Sequence, residues 1–387
     1  MKVTFTERND MLMDKYGHLL DEAKHFSGSQ MLNELEENKM AVLIDNAVQG
    51  ACRKHGQDYN EFTLRSLDEA TTKQTDTGDI AYTVKLQLAM IGQIYPNMIS
   101  REFVSLQPIT QPNYKIFYND FKRSDGTSLS SDIHARREYA NNVEYDPTSP
   151  TDIQTVDMEV TSEDVAATTK KLKGNVTIEV EQDLLAYHGM NAMSLVTSNM
   201  GAELTREWDR TIIADLFSLA SGGTAYFNKK QPVGISYEER KFWMETFYES
   251  ILDVDNMIFK ARYRRTNFLI VSADEATFMA KMKGFEASNI ASDAQIIKTG
   301  GRYFAGTLAN RWRVYVDPFI TGEMLVGYNG AGNWSETGYV FSPYEMAYLT
   351  DAFTNPDTLV KTRAIMSRAA RKCVIPGLYG KVIITNS

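Results

Sequence analysis

NAMSLVTSNMGAELTREWDRTIIADLFSLAS, residues 191–221, is the stretch on which the reading of the whole chain turns. Met193, Val196, Met200, Leu204, Trp208, Ile212, Leu216 and Leu219 recur every three or four residues, the repeat of a single helix face, and Gly222-Gly223 stops the pattern. About 30 residues at 1.5 Å each give a rod of roughly 45 Å. A rod of that length can carry a flat domain along its side.

Downstream, Ser236-Tyr237-Glu238-Glu239 has the form of a capping box. It opens a second helix that carries Phe242, Phe247, Ile251, Val254 and Ile258 and runs to about Arg262. NFLIVS, residues 267–272, reads as a buried strand, and Ser272 with Glu275 predicts a further capping box on a short helix ended by Gly284. After a turn at Gly300-Gly301, strands are expected at 312–317, 324–328, 338–342, 345–350 and 381–385. Upstream, helical spacing runs from Leu12 to about Gly50 through Leu19, Leu20, Met31, Leu35, Val42, Leu43 and Val48. Ser66 to Asp79 is rich in Thr, Asp and Gly and reads as a linker. Pro108 and Pro112 break helix, and Lys115 to Tyr118 alternates as a strand does. The fold class is therefore α+β.

The 387 residues are 43% hydrophobic and 24% charged, so the chain can bury a sizeable core. Its net charge of -9 opposes the phosphate neutralisation on which non-specific nucleic-acid binding depends. Residues 1–85 hold 15 acidic and 10 basic side chains, more than half of that net charge, and read as a separate arm. Two cysteines, Cys52 and Cys373, make neither a metal pattern nor a disulfide framework and fit a reducing compartment. There is no apolar run of membrane-spanning length and no signal-peptide h-region, which places synthesis in the cytosol. The 18 Met, 20 Tyr and 18 Phe fit either broad contact surfaces or a Met-rich core. Phe121 to Asp164, FKRSDGTSLSSDIHARREYANNVEYDPTSPTDIQTVDMEVTSED, is too polar to form a core. It is expected to be disordered or an extended hairpin lying on a neighbouring subunit.

Catalytic motifs are missing. There is no phosphate loop, strand-linked GxGxxG, HExxH or GxSxG, and no catalytic, cofactor-binding or metal-binding residue is assigned. Gly330, Gly332 and Gly338 read as a hairpin loop in preference to an anion nest, and His188 before Gly189 as the end of a helix. Cys373, in the basic segment RAARKCVIP, is read as a structural cysteine in a strand. Lys260, Arg262, Arg264 and Arg265 close a helix, where positive charge complements the dipole. A docking role is open to that cluster, to Arg136, Arg137 and Glu138 as inter-subunit contacts in the polar segment, and to Arg363, Arg368 and Arg371.

Several blocks, in order, resemble the major capsid proteins of T-even-type tailed phages. They are KLKGNVTIEVEQDLLAYHGMNAMSLVTSNMGAELTREWDRTII (171–213), GRYFAGTLANRWRVYVDPF (301–319), MLVGYNG (324–330), YVFSPYEMAYL (339–349) and KTRAIMSR (361–368). The resemblance implies the tailed-phage capsid fold shared with encapsulins and the herpesvirus capsid floor. Its parts would be an N-terminal helical arm at 1–84, a first piece of the peripheral (P) domain at 85–118 and an extended E-loop at 119–164. The P-domain with its spine helix would follow at 165–228, the axial (A) domain at 229–330, and closing strands of both at 331–387.

It further implies self-assembly as hexamers and pentamers into an icosahedral head, built in the host cytoplasm around double-stranded DNA that is not read by sequence. Portal, scaffold and decoration or vertex proteins would be partners, with no membrane, no cofactor and no enzymatic activity. An acidic shell would repel phosphate weakly instead of gripping it. T-even relatives carry a domain inserted in the E-loop region that this chain largely lacks. They also lose an N-terminal segment to a protease cutting after Leu/Ile-x-Glu, a pattern met at Leu67-Asp68-Glu69 and Leu32-Asn33-Glu34. Because the chain runs from Met1, an uncut or immature subunit is the expectation. The alternatives are an encapsulin-like compartment and an acidic hydrolase with an unrecognised carboxylate pair.

Overall fold

The computed structural model describes residues 34–55, 97–123, 156–230, 236–288, 301–330 and 338–385, with residues 12, 91, 94, 95, 234 and 299 described singly. Two sheets share it, and one helix lies against both. That helix is the rod expected from the sequence. It follows a shorter one, so the helices in chain order are α1 (Glu34–His55), α2 (Ile178–His188), α3 (Ala192–Leu219), α4 (Tyr237–Arg262) and α5 (Ala273–Met279).

The side chain of Asn191 caps α3, accepting from the backbone N–H groups of Met193 and Ser194. Met200, Leu204, Trp208, Ile212 and Leu216, each four residues from the last, are buried in the main core. Leu219, expected on the same face, is exposed, because the helix ends there.

The first sheet contains β1 (Ser105–Leu106), β4 (Thr168–Thr177), β11 (Tyr339–Leu349), β12 (Phe353–Asn355) and β13 (Val360–Cys373). β13 is its axis, pairing antiparallel with β11, β12 and β4. Gly174 lets this sheet approach α3 closely, since a Cβ there would sit 2.5 Å from Val196 Cγ1 and 2.8 Å from Met200 Sδ.

β11 joins what sequence reasoning takes as two strands. Pro343 has no N–H to give to a ladder, and the register shifts between Pro343 and Glu345 and again before Tyr348, so the strand bulges there and continues. The bulge releases the Tyr344 carbonyl. Asn46 of α1 takes it, donating from Nδ2 at 2.9 Å to Tyr344 O and, also at 2.9 Å, to Ile109 O. Met40, Leu43, Ile44, Ala47 and Val48 of α1 join the core formed by α3 and this sheet. Part of the acidic N-terminal region is thus packed into the body.

The second sheet has seven strands in the order β5-β14-β10-β6-β9-β8-β7. They are β5 (Thr224–Asn228), β6 (Phe268–Val271), β7 (Phe285–Ala287), β8 (Tyr303–Leu308), β9 (Trp312–Val316), β10 (Glu323–Gly327) and β14 (Tyr379–Thr385). β6 is apolar throughout because both of its faces are covered. Phe268 and Ile270 enter the core shared with α3, while Leu269 and Val271 enter a second core beneath α4 and α5.

The α4 capping box forms as read, with Glu239 N donating to Ser236 Oγ and Ser236 N donating to Glu239 Oε2. The one predicted on α5 is half made: Ser272 caps, but the Glu275 carboxylate turns to Lys229 at 3.5 Å. Gly284 does not end that helix, which is capped at Ala280. It sits at φ +88° in the turn before β7. Gly330 and Gly338 do not bound a hairpin either, for β10 lies in the second sheet and β11 in the first, so the chain crosses between sheets there.

A two-stranded ribbon, β2 (Asn113–Arg123) against β3 (Val156–Ala166), forms no ladder with either sheet and keeps an unbroken antiparallel register from Asn113–Ala166 to Arg123–Val156, while Val165 at its base packs on Val340 and Ala370 of the first sheet. The rest of the polar segment, including Arg136, Arg137 and Glu138, lies outside the described residues, as do the 66–79 linker and the Leu67-Asp68-Glu69 pattern.

Candidate functional site

Three buried carboxylates were invisible to motif searching, and each joins elements distant in sequence. Asp209 of α3 accepts from Ser100 Oγ at 2.6 Å, Ser100 N at 3.2 Å and Ile99 N at 3.3 Å, capping the 3-10 turn Ile99–Glu102 from the side. Asp317 accepts from Arg302 Nε at 3.0 Å with both side chains buried. Asp255 of α4 accepts from Thr266 N at 2.8 Å, Thr266 Oγ1 at 2.7 Å, Arg265 Nη1 at 2.8 Å and Arg311 Nη2. Such donor-saturated carboxylates hold a fold together and have little left for a substrate.

Their charge states differ with their surroundings. Burial pushes Asp209 up to about 6, only partly offset by the Ser100 hydroxyl and the Arg302 charge. At Asp255 burial is outweighed by the bonds from Arg311, Arg265 and Thr266, which hold the carboxyl below its ordinary value. Because the folded Asp209 binds its proton more tightly than the unfolded chain does, its contribution to stability is full below about pH 4 and is lost as pH rises through about 6. Asp209→Asn keeps an acceptor for Ser100 and removes the titration. Relative to that variant, the wild-type subunit should lose roughly 2 kcal/mol between pH 4 and pH 7. Parallel urea unfolding at the two pH values measures this, and identical pH dependence in both proteins would refute it.

The residues singled out in sequence take separate places. His188 ends α2 ahead of Gly189, whose φ of +64° makes the left-handed cap. Cys373 is half-buried in β13, its Sγ 3.6 Å from the Gly338 carbonyl. Of the cations closing α4, Arg265 bonds Asp255 and lies 4.1 Å from the Phe259 ring centre. Arg371 pairs with Asp215 at 3.3 Å, and Arg368 lies over the Tyr344 ring. Arg363 instead lines a surface cavity of about 220 Å³ with Glu181, Asn191, Ser194, Thr354 and Lys361. No group of three or more His, Cys, Asp or Glu able to hold a metal ion occurs among the described residues.

Outward-facing apolar side chains are the more telling feature. α2 buries none of its residues and exposes Leu185 by 62% and Tyr187 by 80%. Tyr226, Phe242, Phe319 and Phe353 are exposed elsewhere on the molecule. Outward apolar groups beside buried polar joints are compatible with a surface that meets other chains.

Comparison with known proteins agrees. The family model for major capsid protein Gp23 matches residues 119–382. The major capsid protein of Serratia phage KSP90 is 24% identical over 343 residues, 74% of this chain and 76% of its own. That of Salmonella phage ViI is 22% identical over 363 residues, covering 79% and 82%. The match to the Enterobacteria phage T4 major capsid protein, 26% over 203 residues, spans 46% of this chain and 37% of the T4 protein. The solved structure described as Mycobacterium phage Bobi aligns over 74% of this chain at 11% identity, with a TM-score of 0.48. The chain belongs to the Gp23 family of tailed-phage major capsid proteins, and its place is the capsid shell of the virion. No helix among the described residues is long and apolar enough to cross a membrane.

Proposed function

We propose that the chain assembles as hexamers and pentamers into an icosahedral head that encloses double-stranded phage DNA without reading its sequence. The observation that carries this reading is the Gp23 match over residues 119–382, which takes in α3, the returning arm of the ribbon, every strand of the first sheet but β1, and the second sheet up to the middle of β14. In domain terms, the P-domain corresponds to α3 with the β13-centred sheet, and the A-domain to α4, α5 and most of the seven-stranded sheet. The E-loop, 119–164 in this reading, would take in most of the ribbon. A lone two-stranded ribbon is marginally stable in water, which supports its lying on a neighbouring subunit. Arg136, Arg137 and Glu138 would then contribute polar contacts between subunits.

The protein works without catalysis. Its chemistry is containment, and a net charge of -9 suits an enclosure around phosphate. Portal and scaffold proteins would set where and how the shell closes, and a decoration protein is compatible with the outward apolar groups. The full chain, expressed and purified, is expected to sediment as capsomers or closed particles and to show polyhedral shells by electron microscopy. A monodisperse monomer across salt and protein concentration would contradict this.

A further inference from the structure

The corner of the molecule where α2 meets the β12–β13 turn carries two halves of one contact. The first half is a helix face. Glu179, Asp183 and Tyr187 follow one another at four-residue spacing on α2, all exposed, about half a turn away from Glu181, which faces the cavity. Glu179 and Asp183 have no partner among the described residues.

The second half is the cavity itself. Lys361 is neutralised by Glu181, whereas Arg363 has no partner among the described residues and its Nε is buried. A buried guanidinium nitrogen without an acceptor is costly inside a finished structure. Beside the cavity projects the turn from β12 into β13, tied by Leu359 N to Asn355 O at 2.9 Å and by Asp357 N to Asn355 Oδ1 at 3.0 Å. That turn presents Leu359, an apolar residue at φ +52° and 54% exposed, a backbone state that favours glycine. Strain and exposure together at one leucine point to a contact made outside the chain.

The two halves cannot meet within one subunit. The ladder Val360–Thr177 and the Lys361–Glu181 pair fix the turn beside the start of α2, with the acidic face directed away. Their charges are complementary, and their apolar groups match in kind, Tyr187 with Leu359 and the exposed Leu195 beside Ser194. We propose that the Glu179–Asp183–Tyr187 face of α2 docks into the Arg363 cavity of a second copy of this chain. The contact is head-to-tail, so every copy in a ring offers one half and receives the other. This rests on the capsid reading and adds to it which surfaces meet.

The test uses the full-length chain and three variants, Arg363→Glu, Glu179→Arg/Asp183→Arg, and the two combined. Particle yield should fall roughly ten-fold or more in each of the first two, with the circular dichroism of dissociated subunits unchanged, and should recover when the charges are exchanged together. Wild-type-like yields in the first two variants, or no recovery in the third, overturn the docking. A wild-type chain that forms no particles overturns the capsid reading itself.

A second measurement avoids charge reversal. In particles of a chain carrying Asp183→Cys and Arg363→Cys, oxidation should link chains into a ladder of dimers, trimers and higher species, while each single variant should not. Monomers alone after oxidation would also overturn the docking.

Discussion

Truncating Trp208 to alanine should destabilise the dissociated subunit by about 3–5 kcal/mol, the range for a large aromatic removed from a close-packed core. Trp208 is wholly buried at the point where α3 crosses the first sheet, with its ring 5.5 Å from that of Phe341. Its Nε1 donates to Ser367 Oγ at 2.9 Å, and Lys170 lies 4.8 Å over the ring while bonding Glu207 O and Thr211 Oγ1. Alanine leaves a void, and α3 is already seated on the sheet two or more turns away, where Gly174 meets Val196 and Met200. Trp208→Phe retains the contact with Phe341 and should cost less than half as much. Urea titration of wild type and both variants measures the difference, and a loss below about 1 kcal/mol for the alanine variant would show that the helix can settle onto the sheet without the indole.

The other large effect lies at Asp255. Replacing it by alanine strips the acceptor from Arg265, Arg311 and both the backbone and hydroxyl of Thr266 at once. Breaking a buried ion pair by deleting one partner costs about 3–5 kcal/mol, since the remaining charge stays desolvated. Arg265 is half exposed and can rehydrate, so the damage concentrates on Arg311 and Thr266. It should spread through Thr266 Oγ1, which accepts from Trp312 Nε1 at 2.8 Å, to the register of β9. Asp255→Asn keeps one acceptor and should lose roughly half as much. Thermal unfolding followed by tryptophan fluorescence would report both the midpoint and the Trp312 environment. An unchanged midpoint in the alanine variant would mean that water replaces the carboxylate.

What could be read in the sequence follows the physics of each element. α3 and α4 announce themselves through a 3.6-residue repeat and side-chain caps at Asn191 and Ser236, both local signals. β6, β9, β10 and β14 are short apolar runs because they are covered on both faces. β13, the axis of the first sheet, was harder to see. Its polar residues do their work at a distance, Arg371 with Asp215 and Lys361 with Glu181, so VKTRAIMSRAARKC reads as a basic segment and not as a central strand. The break at Pro343 divided β11 for the same reason: a bulge is legible only against its partner strand. Sheet membership of β10 and β11 could not be inferred from a glycine-rich connection. The buried carboxylates have little sequence signal, for apart from Phe319 N, which donates to Asp317, their donors lie from 10 to more than 100 residues away.

The strand order of the seven-stranded sheet bears on how the subunit is made. β14, residues 379–385, lies between β5 and β10, and among the described residues β5 has no other neighbour in the sheet. While the ribosome is still adding residues before 379, β5 lacks its ladder with β14 and β10 has an open edge. A polypeptide interrupted before that point keeps this sheet open, with strand edges that chaperones recognise and proteases reach. The integrity of the seven-stranded sheet thus depends on a strand that is among the last parts of this sequence to be made.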